Sequence, residues 1–100
     1  MSRFDVYQYS GRVPLLVDVQ ADLLSDLKTR VVIPLVLHAK ASAEAAPRLK
    51  PVIKVKGKSY ILMTTDIGTV RASDFGSHVA NIEDQRQAVV DALDFLLQGF

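Results

Sequence analysis

The stretch from Leu16 to Leu35, LVDVQADLLSDLKTRVVIPL, constrains this chain more than any other. It is an apolar strand, a short polar crossing and a second apolar strand that runs into a proline. Leu16-Val17-Asp18-Val19 and Val31-Val32-Ile33 carry the β-branched residues of buried or half-buried strands. Pro34 has no N–H to give to a ladder, so it is expected at a strand end or on an edge. Asp22 to Lys28 is too short for a stable helix and reads as a connecting turn.

The remaining elements follow from period and punctuation. Phe4 to Tyr9 reads as a first strand, turned at Ser10-Gly11-Arg12 into the strand Leu15 to Val19, with Val31 to Leu37 as the third. His38 to Ala46 is alanine-rich but has no large apolar anchor, and Pro47 closes it, so it reads as a loop or a marginal helical turn. Val52 to Met63 alternates as a hairpin turning at Gly57, with Ile53 and Val55 on one face and Lys54 and Lys56 on the other. A shorter strand is expected near Thr69-Val70-Arg71, and Met63-Thr64-Thr65-Asp66 reads as a strand end followed by a side-chain-capped turn. Several short strands closed by one terminal helix imply a mainly β, barrel-like sheet with a C-terminal α-helix.

That helix, from about Glu83 to Gln98, is the best-defined local expectation. Glu83 and Asp84 place negative charge at its positive end, and Gly99 is the residue type favoured where a helix leaves through a left-handed cap. A 3.6-residue period puts Val89, Leu93, Leu96, Leu97 and Phe100 on one face and Gln87, Asp91, Asp94 and Gln98 on the other. Phe95 falls toward the edge of the polar face, an apolar surplus that points to a symmetric partner. Asp91, Asp94 and the terminal carboxylate lie near the negative end of the helix dipole, where each costs about 0.3 to 1 kcal/mol. Lysine would suit helix stability better there. The penalty points to a surface for a basic partner, although a solvated face is the plainer explanation.

One hundred residues are expected to form a single domain over 1–100, burying ~60 to 65% of the unfolded surface. With no cysteine there is neither a disulfide nor a thiolate metal site. The N-terminus lacks the apolar stretch of a signal peptide, and no apolar run approaches the ~20 residues of a membrane span, so a cytoplasmic protein is expected. Net charge is +1 but unevenly spread: residues 40–58 hold six cations against Glu44 alone, and residues 81–100 hold four acids against Arg86. Such asymmetry can steer an acidic partner to one surface and a basic one to another, or simply mark solvated faces.

Signatures of catalysis are missing. His38 and His78 stand alone without metal-pair spacing and read as surface or loop residues, and no zinc-protease, nucleophile-elbow, phosphate-loop or dinucleotide pattern occurs. Asp18, Asp22 and Asp26 recur every four residues but share no helical face. Nucleic-acid readout has little support, since only Tyr60 accompanies the basic hairpin as an aromatic neighbour.

The order of residues adds a resemblance. Val17-Asp18-Val19-Gln20, Asp22-Leu23-Leu24, Arg30 and Val32-Ile33-Pro34-Leu35, with Phe4-Asp5-Val6-Tyr7, Met63-Thr64-Thr65-Asp66 and the Gly99-Phe100 terminus, resemble the CcdB family of plasmid-borne and chromosomal toxins. The resemblance spans nearly the whole chain. It implies an SH3-like barrel, a homodimer, no enzymatic activity and no cofactor. It also implies binding to the A subunit of DNA gyrase, trapping of the gyrase–DNA cleavage complex, and neutralisation by an antitoxin whose acidic tail folds onto the toxin. Toxin and antitoxin together repress their operon, so DNA is met only indirectly.

Matched by position, the resemblance places gyrase contacts at Asp94, Gln98, Gly99 and Phe100, with Ala21 and Leu23 from the loop after V-D-V-Q. Lys54, Lys56 and Lys58 are the candidates for drawing the acidic antitoxin tail. The family's well-known poisons have tryptophan where this chain has Gln98, and an aliphatic terminus where it has Phe100. An indole stacked on an arginine contributes ~0.5 to 2 kcal/mol that glutamine replaces only with a hydrogen bond. A divergent relative that binds antitoxin with weak or no gyrase poisoning is therefore a second reading. A third is a MazF-like endoribonuclease, since Gly11-Arg12-Val13-Pro14 loosely resembles that family's opening strand; it would need Arg12 beside an acid or base.

Overall fold

The computed structural model describes residues 2–9 and 14–99. Seven antiparallel strands form one curled sheet: β1 (Asp5–Tyr9), β2 (Leu15–Asp18), β3 (Thr29–Leu37), β4 (Val52–Val55), β5 (Lys58–Leu62), β6 (Gly68–Arg71) and β7 (Phe75–Asn81). Their spatial order is β4-β5-β3-β2-β1-β7, with β6 also paired to β3. A four-residue helix α1 (His38–Ala41) follows β3, and α2 (Arg86–Gln98) follows a 3-10 turn at Glu83–Gln85. The result is mainly β, an SH3-like half-barrel carrying a C-terminal helix. Phe4, Val6, Val17, Ile33, Leu35, Ile53, Leu62, Ile82 and Val89 fill its interior.

Pro34, expected at a strand end or on an edge, lies inside the nine-residue β3. The Val19 N–H donates to Val31 O, so Val31, Ile33 and Leu35 bond toward β2 while position 34 faces the opposite edge. On that edge β6 pairs with Thr29 to Val32 and β5 with Leu35 to Leu37. Pro34 fills the gap between the two partners, where only its carbonyl is used, accepting from the Met63 N–H at 2.9 Å. A missing donor does no harm there.

The hairpin forms as the alternation implied. Ile53 and Val55 are buried and Lys54 exposed, while Lys56 (φ 49°) and Gly57 (φ 80°) make the tight two-residue connection between Val55 and Lys58. Lys56 thus belongs to the turn and not to the strand face shared with Lys54. Strand β6 and the helical turn at α1 also appear where expected. The turn at Thr64–Asp66 forms without a side-chain cap, because Thr64 is buried and its hydroxyl reaches back to Leu62 O at 3.4 Å.

Two further features depart from the sequence pattern. Strand β7 had no signal: it is mostly solvent-facing, contains Gly76 and Ser77, and pairs with β1 through two register shifts. Tyr7 ties it down by stacking on Phe75 at 4.3 Å. On α2 the buried residues are Val89 and Ala92, and Leu97 is 75% exposed. The helix rolls its Ala92 side onto the sheet, which turns Leu97, about 100° round from Leu96, out to solvent. The cap holds: Gly99 is left-handed at φ 80° and its N–H donates to Phe95 O.

Candidate protein-docking site

The loop between β2 and β3 carries Ala21 and Leu23. Asp18 closes the fully buried strand β2, and Arg30 supplies a cation beside it: Nε and Nη2 lie 2.8 and 2.7 Å from Oδ2, with both side chains at 0% exposure. Arg30 Nη1 has no hydrogen-bond partner among the described residues. Burial pushes the Asp18 carboxyl above the usual range, against the downward pull of the Gln20 N–H and Arg30.

Asp18 Oδ1 accepts from the Gln20 N–H at 3.0 Å, and the buried Gln20 amide then spans the loop. Its Nε2 donates to Leu24 O at 2.9 Å and its Oε1 accepts from the Val31 N–H at 2.9 Å. From outside, the Arg3 N–H donates to Asp22 Oδ1 at 2.8 Å. An ordered 3-10 turn at Asp22–Leu24 results, with Leu23 96% exposed at its tip and Leu24 and Leu27 half exposed beside it. The motif residues Asp18, Gln20 and Arg30 are thus a scaffold for the loop. An acid in a buried strand, twelve residues before an arginine that opens the next, is the signal that could have revealed it.

The second surface is the end of α2. Asp94, Gln98 and Gly99 are exposed together there, while Phe100 lies outside the described residues. Asp91 and Asp94 line a cleft of about 520 Å³ with Pro47, Arg48 and Ala88, and the Arg48 guanidinium sits 4.2 Å above the Phe95 ring. Sequence reasoning missed Arg48. It covers the apolar surplus at Phe95 from within the chain and brings the positive segment against the acidic helix.

Lys54, Lys56 and Lys58 are exposed on the β4–β5 hairpin, and none forms an ion pair with a described residue. Lys54 Nζ donates to Ser59 Oγ at 2.7 Å. His78, read from the sequence as a surface or loop residue, is exposed on β7; its Nε2 lies 2.9 Å from Asp5 Oδ1, with Asn81 Nδ2 at 3.0 Å from the same oxygen. Burial pushes the Asp5 carboxyl up, but hydrogen bonds from Asn81, His78 and the Ser2 N–H prevail and hold it below the usual range. Tyr7 is pushed up by burial and then by the Asp5 charge. Among the described residues no three His, Cys, Asp or Glu side chains group to hold a metal ion, and no helix is long and apolar enough to cross a membrane.

The model of the CcdB protein family matches residues 3–99. This chain belongs to the CcdB family. Among solved structures, the chain is similar in fold to an endoribonuclease in complex with its cognate antitoxin from Mycobacterial species. The TM-score is 0.79 at 14% identity, covering 97% of this chain and 94% of the other. At that identity the likeness concerns the fold, and CcdB membership rests on the sequence match.

Proposed function

We propose that this CcdB-family chain is the toxin of a toxin–antitoxin module, acting in the cytoplasm as a homodimer that binds the A subunit of DNA gyrase and traps its cleavage complex. It is a poison and not an enzyme. Membership over residues 3–99 carries the reading. The α2 terminus supports it: Asp94 and Gln98 stand in solvent at the end of a helix, and left-handed Gly99 turns the chain out of the helical path. Leu23, held outward by an ordered loop, provides an apolar contact. A cognate antitoxin with an acidic tail neutralises the toxin, drawn by Lys54, Lys56 and Lys58, and the pair represses its own operon.

Deleting Gly99 and Phe100 removes no residue of the described core, so it should abolish gyrase-mediated DNA cleavage and growth inhibition while antitoxin binding persists. Gln98→Trp should preserve or strengthen poisoning through cation–π contact. Equal cleavage by truncated and intact protein, or no action of either on gyrase, defeats the poison reading. The second outcome favours the divergent antitoxin-binding relative. Light scattering at micromolar concentration should show a dimer. The fold shared with an endoribonuclease keeps one more reading in play: Arg12, its required cation, lies outside the described residues, and incubation of the purified protein with RNA tests it directly.

A further inference from the structure

Among the described residues the sheet does not close on itself: β4 ends it on one side and β7 on the other. Between them lies a cleft of about 480 Å³, with Lys54, Val55 and Lys56 on one lip and Ala80, Asn81, Ile82, Asp84 and Gln85 on the other. The Leu62 N–H donates to Pro51 O, so the odd-numbered residues of this strand bond toward β5 and the backbone of Lys54 points into the seam. Its N–H donates to Gln85 Oε1 at 2.8 Å and its carbonyl accepts from Gln85 Nε2 at 2.7 Å. A primary amide sets an acceptor oxygen beside an N–H donor, as a strand residue does. Gln85 therefore stands in for one residue of a missing strand.

We propose that this seam takes an extended peptide of alternating acidic and apolar residues, which displaces the Gln85 amide and pairs with β4 as an added strand. The side-chain pattern of β4 dictates the alternation. Ile53 and Val55 point into the interior, so apolar residues of the added strand continue their row toward buried Ile82. Val52 and Lys54 point outward, and the Lys56 turn lies just beyond. Acidic residues on the outer face meet Lys54 and Lys56, which no described acid neutralises, on the lip away from Asp84. Main-chain bonds supply affinity and the alternating side chains supply selectivity. The inference deepens the toxin reading, on which the natural occupant is a segment of the antitoxin tail.

The test uses the full chain and a fluorescent heptapeptide alternating glutamate and valine, read by anisotropy. The wild type should bind it. Gln85→Asn, one methylene too short to reach Lys54, and Gln85→Ala should each bind about tenfold more tightly, the equivalent of roughly one net hydrogen bond no longer displaced. A thermal melt verifies that both variants fold, and either one folded suffices. Exchanging Lys54 and Lys56 for Gln should weaken binding and flatten its salt dependence. N-methylation of alternate amides on the bonding edge should abolish binding, and an all-lysine counterpart should not bind. Binding indifferent to N-methylation, or no binding to a folded Gln85 variant, overturns the seam. An antitoxin that binds without competing with the peptide overturns it too and leaves the toxin reading standing. Competing peptide binding by a chain inert toward gyrase supports the seam and defeats only the poison.

Discussion

Leu23 and Gln98 both stand in solvent, yet the turn beneath Leu23 is tied to the interior by Gln20 and the fully buried Asp18–Arg30 pair, whereas Gln98 ends a helix capped by Gly99. The first surface is held by non-local polar contacts across twelve residues of chain. The second is held by helical continuity, which needs only local hydrogen bonds. Damage should spread accordingly: upstream changes at the loop should reach the whole barrel, and changes at the helix end should stay there.

The harshest way to break this contrast is Arg30→Met. It strands Asp18 without its cation at 0% exposure and should cost about 3–5 kcal/mol by urea denaturation. Pairing it with Asp18→Val should recover most of that loss, because two buried charges then leave together. Gln20→Ala comes next. It leaves the Val31 N–H and the Leu24 carbonyl without their partner and should cost about 1–3 kcal/mol. Amide exchange at Leu24 and Leu27 should accelerate beyond any change in the barrel strands.

At the helix end, and at the solvent-facing tip of the loop, the effects shrink. Gly99→Ala forces a left-handed residue to carry a Cβ and should lower stability by about 1 kcal/mol, read by thermal melting, with exchange faster only in the last turn of α2. Leu23→Asp, at a residue 96% exposed, should change stability by no more than about 0.5 kcal/mol while weakening gyrase engagement in a cleavage assay.

The two buried carboxylates sharpen the comparison by pH. Asp5, at the β1–β7 edge, is held below the usual range once hydrogen bonds from Asn81 and His78 outweigh burial. It therefore contributes stability that is present above roughly pH 4 and lost as pH falls through its native value. Asp5→Asn should flatten the acid limb of a stability–pH profile, variant and wild type converging at low pH. Asp18, pushed up by burial, has the opposite sign: its contribution is complete below the unfolded value and declines as pH rises through the native one.

Most strands were legible because alternation is a local property: Ile53 and Val55 inside with Lys54 outside declare β4 without knowledge of its neighbours. Strand β7 was not, because Phe75–Asn81 is a strand through pairing with β1 and the Tyr7–Phe75 stack, neither of which its own pattern encodes. Pro34 misled for the same reason. Its tolerance depends on where β6 stops and β5 begins along the far edge of β3.

By itself the sequence determined the mainly β class, the terminal helix with its glycine cap and, through residue order, the family; each is written in local period or in the succession of residues along the chain. Only the tertiary structure decided which partner each polar or charged group meets: Arg30 on Asp18, His78 on Asp5, Arg48 over Phe95, and the Gln85 amide on the backbone of Lys54. These partners lie 12, 73, 47 and 31 positions apart. A charged or polar side chain carries no periodic mark of its partner, and the curl of the sheet, a property of all the strands together, sets their separation.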